Sequence, residues 1–512
     1  MLKVADIFQS GMIIQRDKPF IIWGTAEPKE TVNVKVQGQA ANAVANDSGA
    51  WSLTFSPLEA SEHETLTVTA SNEDIALEDV AVGEVWVAGG QSNMEFHMRY
   101  EKHFKDVKPK CNNPNIRFYD VPEIAFDEQA DCFDYSRVGI WRKATPDDIE
   151  YFSAVGYYFQ RELWQTFKVP VGIIGCNWGG TVSAAWMNPQ TVYKTGLAWM
   201  EEYNVFAKQI DWDDYWERQR NLVQNSRGNL FKDPFNEFIM PRTPSKEECD
   251  AFISSMAEKG EGFELREGEI VVQNIPGVLY EHMLKIIAPY SIRGFLWYQG
   301  ESDDEKHRAG LYQSMLSGLI SDWRNLWNNK ELPFLIVQLP GFETWLDVGN
   351  FEYDVIRDAQ ECVTKTVPNT YLCSISNAGE QYDIHPKNKK IVGERLALLA
   401  RGHVYGEDIL CDAPTAKGMK LKGKQAVIYF DNAKGGLVLN GDKVNALCVM
   451  ADEKEAEYAV KICDEKLILE FENDGITKVK VCFAKDKFYI VNLYNKAGVP
   501  AIPFTLTAVS EK

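Results

Sequence analysis

Residues 84–94 read Glu-Val-Trp-Val-Ala-Gly-Gly-Gln-Ser-Asn-Met, and this stretch constrains the chain more than any other. Val85 to Ala88 form a short apolar run of the kind that makes a buried strand. The run stops at Gly89-Gly90, which tolerate a sharp backbone turn and leave the next residues open to approach. Ser92 comes next but one. A serine just past a strand, behind two glycines, can hold its hydroxyl exposed. Alone, the stretch reads equally well as a glycine loop with a surface serine. The later strands decide between the two readings.

From residue 83 apolar runs alternate with amphipathic stretches. After Ser153, a residue type that caps helices, Val155, Phe159 and Leu163 recur every four residues and predict a helix. A strand over 169–175 then leads to Asn177-Trp178-Gly179-Gly180-Thr181. Another, over 292–298, leads to Gln299-Gly300-Glu301-Ser302. Leu311, Met315, Leu319, Trp323 and Leu326 mark a second helix, and 333–339 and 370–375 two more strands. The loop after the last holds Asp383-Ile384-His385-Pro386. Pro386 suits a first helical turn, continued by Ile391, Val392, Arg395, Leu396 and Leu399. Alternating βαβ units imply a parallel sheet covered by helices. In such sheets sites form beyond the carboxyl ends of the strands. Ser92, Gly179-Gly180, Gln299 and His385 each follow a predicted strand, so a parallel sheet puts all four on one edge.

The fold class is therefore α/β with flanking β regions. Residues 1–82 carry short, regularly spaced strands and read as a small β-sandwich-like domain. Residues 83–405 form the α/β domain, with a mostly helical insertion at about 187–277. The aromatics of that insertion, among them Trp212, Tyr215 and Trp216, read as packing groups, with sugar contact as the alternative. Residues 406–512 return to short strands, at 425–430, 466–471 and 477–482, and form a C-terminal β domain. A chain of 512 residues accommodates several domains. Its net charge of -20 argues against nucleic acid or an anionic membrane as partner, since both need a positive face. No window reaches membrane-spanning length without charges. The ten cysteines show no Cys-x-x-Cys pair and no Cys/His grouping at zinc spacing, and read as free thiols in a reducing compartment. Residues 1–18 lack the apolar core of a signal peptide, so a cytoplasmic location is expected, or a secreted one if a leader was removed. Oligomeric state is not legible.

A serine hydroxyl is a poor nucleophile until a base takes its proton. The chain has seven histidines. His63 lies in the N-terminal β region, and His97 falls inside the helix expected after Ser92, pointing away. His103 and His307 sit in charged stretches, and His282 and His403 in helical or post-helical ones. His385 alone follows a strand end with a carboxylate, Asp383, beside it. An attacked carbonyl also needs donors already in place for its developing charge. The N–H of Ser92, the N–H of Gly180 or Gly179, and the side-chain amide of Gln299 are the candidates.

Four blocks carry a family resemblance: Gly90-Gln91-Ser92-Asn93-Met94, Trp178-Gly179-Gly180-Thr181, Trp297-Tyr298-Gln299-Gly300-Glu301-Ser302 and Asp383-Ile384-His385-Pro386. Together they resemble the sialate O-acetylesterase family of SGNH (GDSL-like) hydrolases. The likeness covers nearly the whole chain apart from the insertion. It implies a three-layer SGNH hydrolase domain that removes acetyl groups from sugar hydroxyls through an acetyl-enzyme. By that resemblance Ser92 is the nucleophile and His385 the base, with Ser92, Gly180 and Gln299 around the oxyanion. No metal or organic cofactor is implied. Many SGNH enzymes place the triad carboxylate three residues before the histidine. Here Tyr382 stands there and Asp383 is two before, so Asp383 is the first choice to orient His385, with Glu301 and Glu380 as alternatives. The expected substrate is an acetylated sugar, a sialate or a plant-glycan oligosaccharide. The competing readings are a non-catalytic carbohydrate-binding protein and an esterase for other short-chain acyl esters.

Overall fold

Strand β1 (Glu73–Gly90) changes character halfway along its eighteen residues. Its first part alternates between exposed and covered positions and pairs antiparallel with Ser61–Ala70, while Ile13–Gln15 runs parallel to it at Ala81–Gly83. From Val80 to Gly90 every residue is buried. There it is flanked in parallel by β4 (Val171–Asn177) on one side and β5 (Gly294–Tyr298) on the other. Strand β4 also pairs in parallel with β2 (Asn113–Asp120), and β3 (Trp141–Ala144) adds an antiparallel edge. A strand covered on both faces carries a continuous apolar run, as residues 85–88 do. The structure, a computed structural model, describes residues 1–71, 73–132, 135, 138–221, 234–258, 270–346, 349 and 351–510.

After β1 the chain makes only one helical turn, α1 (Ser92–Glu95). Phe96 leaves the helix with φ -37° and ψ 108°. His97, expected inside this helix, therefore lies beyond it, and it is buried. Helix α2 (Ala154–Phe167) begins at Ser153, whose Oγ accepts the Gly156 N–H at 3.0 Å and donates to the Met94 carbonyl at 2.6 Å. That one hydroxyl caps a helix and ties it to the turn carrying Ser92. Phe159 of α2 meets Trp86 of β1 edge-on at 5.2 Å. Helix α3 (Tyr312–Leu326) packs Trp323 edge-on against Phe295 and Trp297 of β5 at 5.3 and 5.4 Å. A Cβ at Gly89 would lie 2.5 Å from that indole. Helix α2 thus sits on the Trp86 side of β1 and α3 on the Gly89 side, as alternating side-chain direction requires.

In the stretch read as an insertion, helices run over Pro189–Thr195, Leu197–Ala207, Trp212–Asn221, Pro234–Ile239 and Lys246–Glu258. Its residues 222–233 and 259–269 lie outside the described residues. Trp212 and Trp216 stack at 6.1 Å, and buried Tyr215 donates to the Ile270 carbonyl at 2.8 Å. These aromatics pack on their own neighbours.

The chain divides into two compact units, residues 1–302 with 311–334, and residues 303–310 with 335–512. The second holds β6 (Phe334–Val337) but for its first residue, the neighbouring β7 (Thr370–Cys373), and helices α4 (Tyr353–Thr366) and α5 (Lys390–Leu399). Pro386 does not open α5, which starts at Lys390. The reason is local: Asp383 accepts the His385 N–H and Glu380 accepts the Lys387 N–H, both at 2.8 Å, and these side-chain bonds compete with a helical turn. Past α5, two four-stranded antiparallel sheets share one apolar core that includes Ile428, Phe430, Leu467, Val481 and Leu493. No described helix is long and apolar enough to cross a membrane.

Among the buried charges of the first unit, Glu84 lies in β1 itself. Glu84, fully buried in β1, receives Arg16 Nε at 2.6 Å and Arg293 Nε at 2.7 Å. Burial alone would raise its pKa, but the bonds and charges of Arg293 and Arg16 outweigh that and hold it below the ordinary value. The pair of arginines joins residues before β1 to residues before β5. Glu84→Ala removes the buried carboxylate that both guanidinium groups face and should cost about 3–5 kcal/mol in urea unfolding. Because the folded pKa is depressed, this contribution is present above the unfolded carboxyl value of about 4.3 and is lost as pH falls through the lower folded value. The gap between parent and variant should therefore narrow in acid.

Candidate active site

In the first unit Ser92 and Gln299 stand at strand ends. Gly90 closes β1 with φ +141°, and a Cβ there would sit 2.1 Å from the Tyr298 carbonyl oxygen of β5. Only glycine lets the two strands approach this closely. The Gln91 N–H then donates to that same carbonyl at 3.2 Å. Gln91 exchanges side-chain bonds with Ser302, Nε2 to Oγ and Oε1 from the amide N–H, both at 3.2 Å. Asn93 Nδ2 donates to Glu301 Oε1 at 2.5 Å. The turn bearing Ser92 is thus fastened on both sides to the loop after β5. Glu301, considered as a source of the triad carboxylate, is engaged here with Asn93.

The loop after β4 lies beside Ser92. A Cβ on Gly179 would be 3.3 Å from the Ser92 Cβ. Three side chains hold this loop. Glu95, one helical turn after Ser92, accepts the Gly179 N–H at 2.7 Å. Asn274 accepts the Val182 N–H at 3.0 Å and donates to the Gly180 carbonyl at 3.1 Å. Gln299 Nε2 donates to the Thr181 carbonyl at 3.1 Å. Gly180 takes φ +73°, where L side chains are strained, although its Cβ would meet open space. Gly179 spends its N–H on Glu95. Among the described residues, no acceptor lies on the Gly180 N–H.

Gln299 is fully buried, and its amide orientation is settled by its neighbours. A carbonyl can only accept, so the nitrogen faces Thr181. The oxygen faces the Tyr312 hydroxyl at 2.9 Å. One of the two amide hydrogens is therefore committed to the main chain of the Gly-Gly loop, a use that sequence reasoning did not anticipate.

His385 and Asp383 belong to the second unit. His385 is 5% exposed and Asp383 2%. Asp383 Oδ1 accepts the His385 N–H at 2.8 Å, and Asp383 Oδ2 pairs with Lys387 Nζ at 2.8 Å. The His385 Nδ1 lies 3.8 Å from Asp383 Oδ1, beyond hydrogen-bond length. Burial, then the charges of Lys387 and Lys389, push the imidazole well below its ordinary pKa. That shift favours the neutral ring. Trp345 stands edge-on to it at 5.3 Å. Glu380 is bonded to the Lys387 N–H.

The structure accordingly links Ser92, Gly180, Gln299 and Glu301 in one unit, and His385, Asp383, Glu380 in the other. Glu95, Asn274, Tyr312 and Trp345 were missed. Only Glu95 left a signal, being three residues from Ser92 and so on the same face of a helical turn. A cavity of about 20 Å³ lies behind α1, lined by Glu95, His97, Asp120 and Asn177, among others, with room for one water. Burial lowers His97 to about 3 and raises Asp120 to about 7.

The chain is similar to several known proteins. Residues 267–400 match the family described as carbohydrate esterase, sialic acid-specific acetylesterase. The sialate O-acetylesterase of Mus musculus is 25% identical over 462 residues, covering 83% of this chain and 78% of its own. That of Homo sapiens is 23% identical over 475 residues, 84% of this chain and 76% of its own. The crystal structure of a carbohydrate acetylesterase from Xanthomonas citri superposes with a TM-score of 0.74 at 25% identity, over 98% of this chain and 99% of that one.

The clamp on the Gly-Gly loop makes a direct prediction. Asn274→Ala removes the acceptor for the Val182 N–H and the donor to Gly180 in one change. Amide hydrogen exchange across residues 180–182 should quicken while exchange in β1 and β4 stays as in the parent. Unchanged protection of the loop would mean that Asn274 does not hold it.

Proposed function

We propose that this relative of the sialate O-acetylesterases is a serine carbohydrate O-acetylesterase, built on a three-layer SGNH hydrolase domain between β-sandwich-like regions at 1–82 and 406–512. The observation that carries the proposal is the Gly179–Val182 loop. It is clamped beside Ser92 by Glu95, Asn274 and Gln299, and presents the Gly180 N–H with no acceptor among the described residues. A donor that is fixed in advance and needs no reorganisation is what an oxyanion site requires.

In the proposed reaction His385 takes the Ser92 proton, and the serine oxygen attacks the acetyl carbonyl. The oxyanion rests on the N–H groups of Ser92 and Gly180. Gln299 supports it with its amide and by holding Thr181. The sugar hydroxyl leaves with the proton from His385, and water, activated by the same ring, releases acetate. A neutral imidazole is the form that can accept a proton, and burial with Lys387 and Lys389 favours that form. Asp383 is proposed to fix the His385 loop through the main-chain bond and to steady the imidazolium once it forms, with Lys387 balancing its charge until then. The substrate class proposed is acetylated sugars, sialates or plant-glycan oligosaccharides.

Ser92→Ala should abolish acetate release from acetylated sialic acids, acetylated xylo-oligosaccharides and nitrophenyl acetate alike. Parent turnover in a folded Ser92→Ala protein would overturn the proposal. Gln299→Ala should lower kcat by roughly 10²–10³ if the amide acts as an oxyanion donor. The depressed His385 pKa sets the acid limb of the kcat/KM profile below the ordinary imidazole value of about 6.5, so activity should persist under mildly acidic conditions. A midpoint at or above that value would contradict a buried neutral base.

A further inference from the structure

The turn after α5 brings three donor side chains together, on residues that the esterase reading does not use. His403 stands in the wide turn Ala400–Val404, and Cys411 and Asp412 lie on the loop that leads into the C-terminal strands. His403 Nε2 is 2.8 and 3.0 Å from the two carboxylate oxygens of Asp412. Cys411 Sγ is 3.9 Å from Asp412 Oδ2. One ligand atom from each residue lies within 4.8 Å of the others. The spacing along the chain matches no zinc pattern, and only folding joins them.

The surroundings hold these donors in place. The His403 ring stacks on Tyr371 at 4.0 Å and 14°, which fixes its plane. A Cβ on Gly402 would lie 2.4 Å from Cys411 Sγ, so the glycine is what lets the sulfur reach the turn. The loop backbone is pinned separately: Asn495 Nδ2 donates to the Asp412 carbonyl at 2.8 Å, and Asn432 Nδ2 to the Ala413 carbonyl at 3.2 Å. Cys411 is buried, while the side chains of His403 and Asp412 are 27% and 34% exposed. The cluster therefore has a closed floor and a mouth open to solvent.

We propose that His403, Cys411 and Asp412 form a binding site for a zinc-class divalent cation, with water as the fourth ligand. An imidazole nitrogen, a thiolate and a carboxylate suit a borderline ion and not calcium or magnesium, which take oxygen donors. With metal–ligand bonds of about 2.0–2.3 Å, donors on a tetrahedral ion sit roughly 3.3–3.6 Å apart. The His403–Asp412 and Cys411–Asp412 separations, 2.8 and 3.9 Å, fall on either side of that range, and all three donor atoms lie within 4.8 Å of one another. Opening the His403–Asp412 pair by about half an ångström, a side-chain adjustment, would admit the ion between them. Binding displaces the thiol proton of Cys411 to solvent and leaves the thiolate on the metal. The bound ion would staple the turn after α5 to the entrance of the C-terminal strands.

The bland alternative is a surface His–Asp pair with a thiol beside it, and the test separates the two. The full-length protein is stripped with chelator, incubated with zinc sulfate, desalted, and assayed for metal by mass spectrometry. One zinc per chain is expected. Cys411→Ser, His403→Ala and the milder Asp412→Asn should each reduce the content to background while keeping the parent's circular dichroism without metal. Cobalt in place of zinc should give a near-ultraviolet thiolate-to-cobalt band that Cys411→Ser removes. No retained zinc in the parent, or retention unchanged in Cys411→Ser, would overturn the proposal. Acetate release should be the same before and after chelation, so this outcome is independent of the esterase reading.

Discussion

The constraint on which the first unit depends is the backbone of β1 between Val80 and Gly90. Eleven consecutive residues are buried there, and none of their amide or carbonyl groups can turn to water. Parallel partners on both sides meet that requirement over Trp86–Gly90, and the strands Ser61–Ala70 and Ile13–Gln15 pair with it over Val80–Gly83. Slipping the register by one residue would exchange Trp86 and Val87 between the faces that α2 and α3 cover. Glu84, within this stretch, is anchored by Arg16 and Arg293, so the register is held by charge as well as by packing. The end of the strand is fixed by Gly90 against Tyr298. The loops carrying Ser92 and Gln299 therefore leave the sheet side by side.

Beyond that edge a polar network takes the place of an apolar core. Asn93 with Glu301, Glu95 with Gly179, Asn274 with Gly180 and Val182, and Gln299 with Thr181 and Tyr312 are each within hydrogen-bond length. A single such bond contributes only about 1 kcal/mol net, whereas a buried group that loses its partner costs about 1–3 kcal/mol. The network is thus a stronger statement about geometry than about stability. Any other placement of the Gly-Gly loop would strand several groups at once. This is how a loop rich in glycine, with the greatest freedom in the unfolded chain, comes to hold one donor in one direction.

Around His385 the balance is electrostatic. Asp383 is the near carboxylate, yet Lys387 lies on it at 2.8 Å and the imidazole at 3.8 Å. Burial disfavours the charged ring most, and the charges of Lys387 and Lys389 add to it. A histidine paired tightly with an exposed carboxylate would be held as the cation, which is a poor base. Trp345 meets the ring edge-on. The main-chain bond from Asp383 also explains why the helix after Pro386 begins only at Lys390.

The alternation of apolar runs, the cap at Ser153, and the glycines before Ser92 and Thr181 were all visible along the chain, because each is a short-range property with its own period or conformational demand. Those features were enough to place Ser92 and Gly180 just past buried strands. Three matters belonged to the tertiary structure. The first is that Gln299 faces Thr181, since an amide's partner depends on which loop folds against it. The second is that Glu95, Asn274 and Tyr312 hold the site, since residues distant in the chain carry no local mark of meeting. The third is the protonation of His385 and the meeting of His403 with Cys411 and Asp412. Burial and neighbouring charge set the one, and chain reversal after α5 sets the other. A linear pattern records which chemistry a residue can offer, whereas distance and dielectric decide which part of it is expressed.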